Sequence, residues 1–265
     1  LKEAQVNVSL RVEETDSPDA FQVSGRGELH LGILVETLRR EGYELQISKP
    51  KPILKEVEGK IQEPYERVFL MLPAAFSGKI IENLGNRRGE MVKMDTSGEA
   101  NVKLEFLIPA RGLIGFRSQL LAETRGEGII NHLFDSYGPW KGEIPGRSRG
   151  VLVAWEPGQA TTYGLHSIEA RGILFIQAND RVYSGMIVGE NSREGDIDVN
   201  VCKKKHLTNF RAAGSEDAMV LTPPTVFSLE QAMVYIEEDE LVEVTPHSIR
   251  LRKKGLDRTR RRRGE

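Results

Sequence analysis

Cysteine is nearly absent from this sequence, because Cys202 is the only one among 265 residues. A single cysteine cannot form an intramolecular disulfide or a multi-cysteine zinc site, which agrees with a reducing compartment. No stretch approaches the ~20 consecutive apolar residues of a membrane helix, and the first residues lack a basic-then-apolar signal pattern. We therefore expect a cytoplasmic protein that does not contact membranes.

Motifs for catalysis and metal binding are also missing. The sequence contains no Gly-x4-Gly-Lys-[Ser/Thr] phosphate loop, so this chain alone is not expected to hydrolyse a nucleoside triphosphate. The five histidines lack metal-ligand spacing, and no metal site is predicted.

One short string resembles a catalytic motif. Residues 146–150 read Gly-Arg-Ser-Arg-Gly, like a nucleophile elbow, which leaves a serine hydrolase that uses Ser148 as an alternative. That motif needs a helix after the serine, whereas the strand-like residues 151–155 follow here. An arginine-rich loop is the preferred interpretation, and no catalytic residue is predicted.

Charge is distributed unevenly along the chain. Residues 250–265 hold nine lysines and arginines against two acids, or +7, so the rest of a chain whose overall charge is −2 carries −9. A body this acidic does not attract nucleic acid through its overall field. Any contact with phosphate must come from local basic segments.

The clearest structural pattern lies in residues 65–141. Val102, Leu104, Phe106 and Ile108 occupy alternate positions, which is the period of a strand with one buried face. Strands are also predicted near residues 68–72, 91–95 and 129–134, with helices near 77–89 and 113–126. The order βαββαβ is that of a ferredoxin-like domain, in which two helices cover a four-stranded antiparallel sheet.

Residues 1–48 give the pattern ββαβ, which is the same fold without its first strand and helix. Leu31, Leu34, Val35 and Leu38 have helical spacing within its predicted helix. A sheet face left uncovered by a missing helix is unexpected in a complete protein, so we expect the chain to be part of a longer one. Residues 49–64 contain prolines and are predicted to be a linker.

Many short β-like segments fill residues 142–252, among them residues 161–168. A single helix is predicted there, opened by a capping box at Ser228 and Gln231. Residues 253–265 are predicted to be a basic flexible tail. The predicted fold class is α+β: two ferredoxin-like domains, the first incomplete, followed by a mostly antiparallel β domain with one helix.

Three basic segments are candidate RNA contacts. The arginine run of residues 258–263 would add salt-sensitive, sequence-blind affinity, although such tails taken alone are most often just solvated. Residues 203–211 read Lys-Lys-Lys-His-Leu-Thr-Asn-Phe-Arg and belong to a loop of about 17 residues, a length that is usually functional or disordered. Its cations, its stackable phenylalanine and its hydroxyl and amide groups suit folded RNA. Arg111 and Arg117 flank a predicted helix start, where they add to a field that attracts anions.

These segments resemble a known family. Residues 24–31 (Ser-Gly-Arg-Gly-Glu-Leu-His-Leu) and 39–42 resemble the third domain of translational GTPases related to elongation factor G, and residues 109–117 resemble the ferredoxin-like domain that follows. The loop at 203–211 and residues 241–246 (Leu-Val-Glu-Val-Thr-Pro) resemble the C-terminal domain of the BipA/TypA branch. One small departure is that Glu216 precedes Asp217, the reverse of the family's usual order. The GTPase and second domains are absent.

The resemblance implies a ribosome-bound factor that acts in stress-related translation and in assembly of the large subunit. Its expected partners are large-subunit ribosomal RNA and A-site tRNA. GTP and magnesium are expected in the missing GTPase domain, with no cofactor in this chain, and the chain is expected to be a monomer. The RNA contacts it implies are Arg193, Lys203, Lys204, Lys205, Thr208, Asn209, Arg211, Arg111 and Arg117.

A protein-binding module remains an alternative function. In that case the β domain would offer a sheet edge to a peptide, and the basic tail would serve solubility.

Overall fold

A computed structural model describes residues 9–96, 100–204 and 220–263. The chain divides into two compact units, one formed by Leu1–Lys49 with Arg147–Glu265 and the other by Pro50–Gly146. Within the described residues, none of the helices has the length and apolar character needed to span a bilayer.

The secondary structure follows the chain in three segments. The first 49 residues contain β1 (Arg11–Glu14), β2 (Phe21–Ser24), α1 (Glu28–Arg40) and β3 (Leu45–Ser48). Residues 50–146 contain β4 (Lys55–Val57), β5 (Lys60–Pro73), α2 (Ser77–Asn86), β6 (Glu90–Asp95), β7 (Asn101–Pro109), α3 (Ala110–Leu113), α4 (Phe116–Glu123) and β8 (Ile129–Pro139). Residues 147–263 contain β9 (Val151–Ala154), β10 (Gly158–Gln159), α5 (Thr162–Glu169), β11 (Gly172–Leu174), β12 (Arg181–Val182), β13 (Met186–Asn191), β14 (Ile197–Val199), α6 (Leu229–Tyr235), β15 (Glu240–Val244), β16 (Ile249–Lys253) and α7 (Arg258–Arg263).

The unit Pro50–Gly146 is the predicted ferredoxin-like domain. Its four main strands lie in the order β8-β5-β7-β6, and each neighbouring pair is antiparallel. Val102, Leu104 and Phe106 alternate inward along β7 and pack against buried residues of α2 and α4, including Leu84 and Leu120. The α+β fold class and the βαββαβ order are confirmed.

Two local features of this unit differ from the predictions. The helix predicted near residues 113–126 is split into α3 and α4, because Gly115 adopts the left-handed conformation at φ 72°. The range 49–64, predicted to be a linker, contains β4 and the first residues of β5, which pair with each other from Lys55 to Gln62.

A seven-stranded sheet forms the centre of the other unit. Six of its strands follow the order β14-β9-β13-β16-β15-β3, and β11 also pairs with β13. β14 is parallel to β9, whereas the other pairs are antiparallel. β9 is buried on both faces: Val151 and Val153 pack towards α1 and α6, while Leu152 and Ala154 pack towards α5.

The strands predicted as an incomplete first domain lie in two sheets. β1 and β2 pair only with each other among the described residues, while β3 pairs with β15 from Leu45 opposite Val244 to Ser48 opposite Leu241. Leu45 and Ile47 share the apolar face of β3 and join the core that contains Val244. Burial of that face explains why β3 belongs to the same sheet as the C-terminal strands.

Residues 161–168 were predicted to be a strand and instead form α5. Thr161 caps this helix, since its side-chain oxygen accepts a hydrogen bond from the Gly164 N–H at 2.9 Å. Leu165 and Ile168, three residues apart on one face, are buried. Tyrosine, leucine and isoleucine also suit strands, so residue types alone favoured the wrong element.

The predicted capping box of α6 is confirmed. The Ser228 N–H donates to Gln231 Oε1 at 2.9 Å, and the Gln231 N–H donates to Ser228 Oγ at 3.3 Å. The prediction of a single helix in residues 142–252 is nevertheless wrong, because α5 is also present.

Gly164 allows α5 to approach the backbone at Val201, two residues beyond β14. A Cβ at Gly164 would lie 2.2 Å from the Val201 carbonyl oxygen, a backbone atom that also accepts a hydrogen bond from the Thr161 N–H. We expect Gly164→Ala to lower the free energy of unfolding by about 2 kcal/mol, as overpacking does. Urea denaturation followed by circular dichroism measures this change.

Gly32→Ala is the matched control. Gly32 lies in α1 of the same unit, and the nearest atom to an added Cβ, Glu230 Cγ, is at an ordinary 3.5 Å. Alanine also favours helix by ~1 kcal/mol over glycine, so this variant should be as stable as the wild type or more stable. If Gly164→Ala and Gly32→Ala were equally stable, the close contact between Gly164 and the Val201 carbonyl would be contradicted.

Candidate nucleic-acid interface

The basic segment begins four residues after the end of β14, and hydrogen bonds hold the backbone that leads into it. The Thr161 N–H donates to the Val201 carbonyl at 2.9 Å, and the Thr161 hydroxyl donates to the Lys203 carbonyl at 2.5 Å. The Cys202 N–H donates to Asn200 Oδ1 at 2.9 Å. The backbone at Lys203 is therefore held against the start of α5.

Lys203 and Lys204 are both exposed on this fixed backbone. The Lys203 ammonium lies 5.8 Å from the centre of the Tyr163 ring, within cation–π range. Lys205, Thr208, Asn209 and Arg211, the other predicted contacts of this segment, lie outside the described residues. The structure thus provides two solvent-facing cations at the root of the segment.

Arg193 lies at the opposite end of β14. It is exposed in the turn between β13 and β14, where its carbonyl accepts a hydrogen bond from the Gly150 N–H at 3.0 Å. Lys203 follows β14, whereas Arg193 precedes it. The two cations, both predicted to contact RNA, are not brought to the same end of the sheet.

Arg111 is committed to contacts within its own unit. Its guanidinium makes two hydrogen bonds, of 2.5 and 3.1 Å, to the fully buried carboxylate of Glu63. It also donates to the Gly142 carbonyl at 2.5 Å and stacks 3.7 Å from the centre of the Trp140 ring. These contacts give Arg111 a structural role, and its contact with RNA stays a prediction.

Arg117 is exposed in the first turn of α4. Arg111 belongs to the separate helix α3, so the two arginines do not share one helix start as predicted. Arg117 is the one of the pair that is open to a ligand.

The C-terminal segment forms a docked helix rather than the predicted flexible tail. Asp198 on β14 accepts a hydrogen bond from Arg258 Nε at 2.9 Å and another from Arg261 Nη2 at 2.8 Å. Arg258 also stacks 4.6 Å from the centre of the Trp155 ring. Lys253, predicted to begin the tail, is the last residue of β16 and is buried.

Lys253 belongs to a cluster of ion pairs that the sequence did not indicate. Its ammonium contacts Asp196 at 2.6 Å, Asp239 at 2.8 Å and Glu240 at 2.9 Å. The buried carboxylate of Glu240 also pairs with Arg147 at 2.8 Å. Glu240 closes an acidic stretch at residues 237–240, yet its side chain is fully buried.

The ion pairs shift the pKa of Glu240. Burial by itself raises the pKa of this carboxyl, but the hydrogen bonds and charges of Arg147 and Lys253 outweigh that effect and leave the pKa below its ordinary value of 4.5. The pKa of Lys253 is raised: burial lowers it, but its acidic partners outweigh burial. Both groups are therefore charged in the folded protein near neutral pH.

Ser148 lies in the irregular segment before β9, between Arg147 and Arg149. It is not placed between a strand and a helix, as a nucleophile elbow requires. Within the part of the chain that the structure describes, no three histidine, cysteine, aspartate or glutamate side chains converge as metal ligands would.

Comparison with known proteins accounts for most of the chain. The family model described as TypA/BipA C-terminal domain matches residues 149–258, and the model described as elongation factor G C-terminus matches residues 60–148. The chain belongs to the BipA/TypA family. The predicted resemblance is confirmed, and the boundary between the two matches falls close to that between the two described units at residue 146.

Relatives in this family are similar along nearly the whole chain. Proteins named large ribosomal subunit assembly factor BipA are 52% identical over 97% of this chain in Bacillus subtilis, and 53% identical over 95% of it in Synechocystis. The Haemophilus influenzae protein of the same name is 51% identical over 99% of the chain. The chain spans 42 to 43% of the length of these relatives.

The ion pair of Glu240 predicts acid sensitivity. Because its pKa is depressed in the folded state, the stability that it contributes is present above 4.5 and is lost as pH falls through the folded value. Glu240→Gln should cost about 3 kcal/mol at pH 7, as when a buried pair is broken. Its stability difference from the wild type should shrink as pH falls below 4.5.

Glu238→Gln is the matched control, because Glu238 is exposed and only two residues away. Its effect should stay within about 0.5 kcal/mol. Urea unfolding at several pH values measures both variants. If the stability difference between Glu240→Gln and the wild type did not change with pH, the assignment of a charged Glu240 in the folded protein would be contradicted.

Proposed function

We propose that this chain is the ribosome-binding part of a translational GTPase that acts in assembly of the large ribosomal subunit. The proposal draws its partner from the printed name of the relatives, large ribosomal subunit assembly factor BipA. GTP and magnesium would bind to another part of that longer protein, which would work in the cytoplasm and in translation under stress. This chain would act as a monomer, without a catalytic residue of its own.

The observation that carries the proposal is the placement of Lys203 and Lys204. Both are exposed on a backbone that Thr161 holds by two hydrogen bonds, in a protein whose overall charge is −2. A polyanion would be attracted to such a localised cationic site and repelled by the acidic surface elsewhere. Ribosomal RNA and the A-site tRNA are the proposed ligands.

The other predicted RNA contacts are supported to different degrees. Lys205, Thr208, Asn209 and Arg211 continue the same segment along the chain. Arg117 is an exposed candidate in the ferredoxin-like unit, and Arg193 is an exposed candidate at the far end of β14. Arg111 is the weakest, because Glu63 and Trp140 already engage its guanidinium.

The test is sedimentation of the chain with purified large ribosomal subunits across a salt series. Replacing both Lys203 and Lys204 with alanine should weaken binding and lower the slope of log K against log salt by up to about two. The reason is that each lysine bound to phosphate releases counterions.

A charge-matched control is Lys93→Ala with Lys103→Ala. Both lysines are exposed on the ferredoxin-like sheet, and the pair changes the net charge by the same amount. An equal effect of the two double variants would mean that general charge, and not the segment after β14, supports binding. Binding that neither variant changes would refute the proposal.

A further inference from the structure

The C-terminal helix α7 and the basic segment after β14 lie at the same end of the seven-stranded sheet. The Trp155 N–H donates to the Val199 carbonyl at 3.2 Å, and Arg258 of α7 stacks on the Trp155 ring. Lys203 is only four residues beyond Val199, a span of at most ~14 Å. The docked helix is therefore close to the root of the basic segment.

Asp198 is the residue that connects them. It lies on β14, whose next residues lead to Lys203, and its carboxylate binds one guanidinium through each oxygen. Its side chain is only 13% exposed, which shields both ion pairs from water and salt. Charge-assisted bonds of this kind hold geometry better than exposed surface pairs.

The two arginines have different roles. Arg261 is 15% exposed, and its second terminal nitrogen donates to the carbonyls of Gly255 and Leu256. Its guanidinium is therefore engaged by contacts within the protein. Arg258 is 35% exposed and uses its Nε for Asp198, and Trp155 beside it is 38% exposed. An accessible cation next to an accessible aromatic ring suits the backbone and bases of RNA.

The helix around these two contacts has an unusual composition. Residues 258–263 read Arg-Thr-Arg-Arg-Arg-Arg, so docking brings a dense cationic segment to this end of the sheet. A free tail of the same sequence would be spread over a large volume, and its local concentration at any bound RNA would be lower.

We propose that Asp198 is a positioning residue, which fixes α7 beside Lys203 and Lys204 so that both basic elements bind one RNA. This inference rests on the proposed function and deepens it, because it makes the surface bipartite. It also predicts a change in RNA affinity that is opposite to the change expected from charge alone. Removing an acidic side chain near an RNA site should strengthen binding by charge alone, whereas loss of positioning weakens it.

The test is Asp198→Asn, which keeps shape and removes the charge. With purified large ribosomal subunits as the probe, we expect binding to weaken about threefold or more, and the salt slope to fall by about one for each phosphate that α7 no longer neutralises. Hydrogen exchange of the residue 258–263 amides should become faster in the free protein, because the helix is no longer pinned. Asp198→Glu, which keeps the charge, should restore part of the binding.

Glu194→Gln is the charge-matched control. Glu194 is exposed in the turn at the opposite end of β14, and the substitution removes one negative charge without touching α7. It should leave binding unchanged or slightly tighter, with normal exchange in α7. Arg261→Lys is a second variant, which keeps the net charge of the wild type and removes the forked hydrogen bonds, so it should weaken binding and speed exchange even if Asp198→Asn fails to fold.

The outcomes separate the two proposals. Binding by Asp198→Asn that equals or exceeds that of Glu194→Gln overturns the positioning role, and so does unchanged exchange in α7. If the double variant Lys203→Ala with Lys204→Ala nevertheless binds large ribosomal subunits more weakly than the wild type, the proposed function still holds. If that double variant binds like the wild type, the proposed function itself fails.

Discussion

The buried lysine of β16 is the residue on which the C-terminal unit depends most. Lys253 ends its strand, and its three acidic partners are Asp196 just before β14, Asp239 in the turn before β15, and Glu240 at the start of β15. Through Glu240, the cluster also binds Arg147, just before β9. Four separate parts of the chain are thus tied together, and the buried charges of Lys253 and Glu240 would carry a high cost if either were left unpaired.

Cations elsewhere in the chain divide into those used by the fold and those left to solvent. Arg111, Arg147 and Arg261 are enclosed by carboxylates, carbonyls or aromatic rings. Lys203 and Lys204 are exposed on a rigid backbone. A count of basic residues does not make this distinction, and only the cations that are exposed can interact with a polyanion.

Periodicity was sufficient to predict elements formed from local contacts. The alternation along β7, the stripe of α1 and the capping box of α6 all follow from neighbours in sequence, and these elements are present. Pairing across long separations could not be predicted: nothing in Leu45–Ser48 indicates that its partner is β15 rather than β1 or β2. The Lys253 cluster was missed for the same reason, because lysine at a chain end ordinarily indicates a solvated tail.

The candidate site was predicted in composition and only partly in geometry. The motif around residues 203–211 identified the segment, but its anchoring by Thr161 depends on α5, where a strand was predicted. Arg111 was assigned to RNA because of its place near a helix start, whereas its buried partner Glu63 is 48 residues away along the chain. Sequence patterns locate charged groups but not the buried carboxylates that neutralise them.

The pairing of β3 with β15 has a consequence for biosynthesis. Leu45 emerges from the translating ribosome about 200 residues before its partner Val244, a delay of roughly 10 to 40 s at ~5–20 residues per second. The segment Pro50–Gly146 can complete its own sheet during that interval, while the apolar face of β3 stays unsatisfied. Nascent chains stalled before residue 240 should therefore engage chaperones that recognise exposed hydrophobic strands.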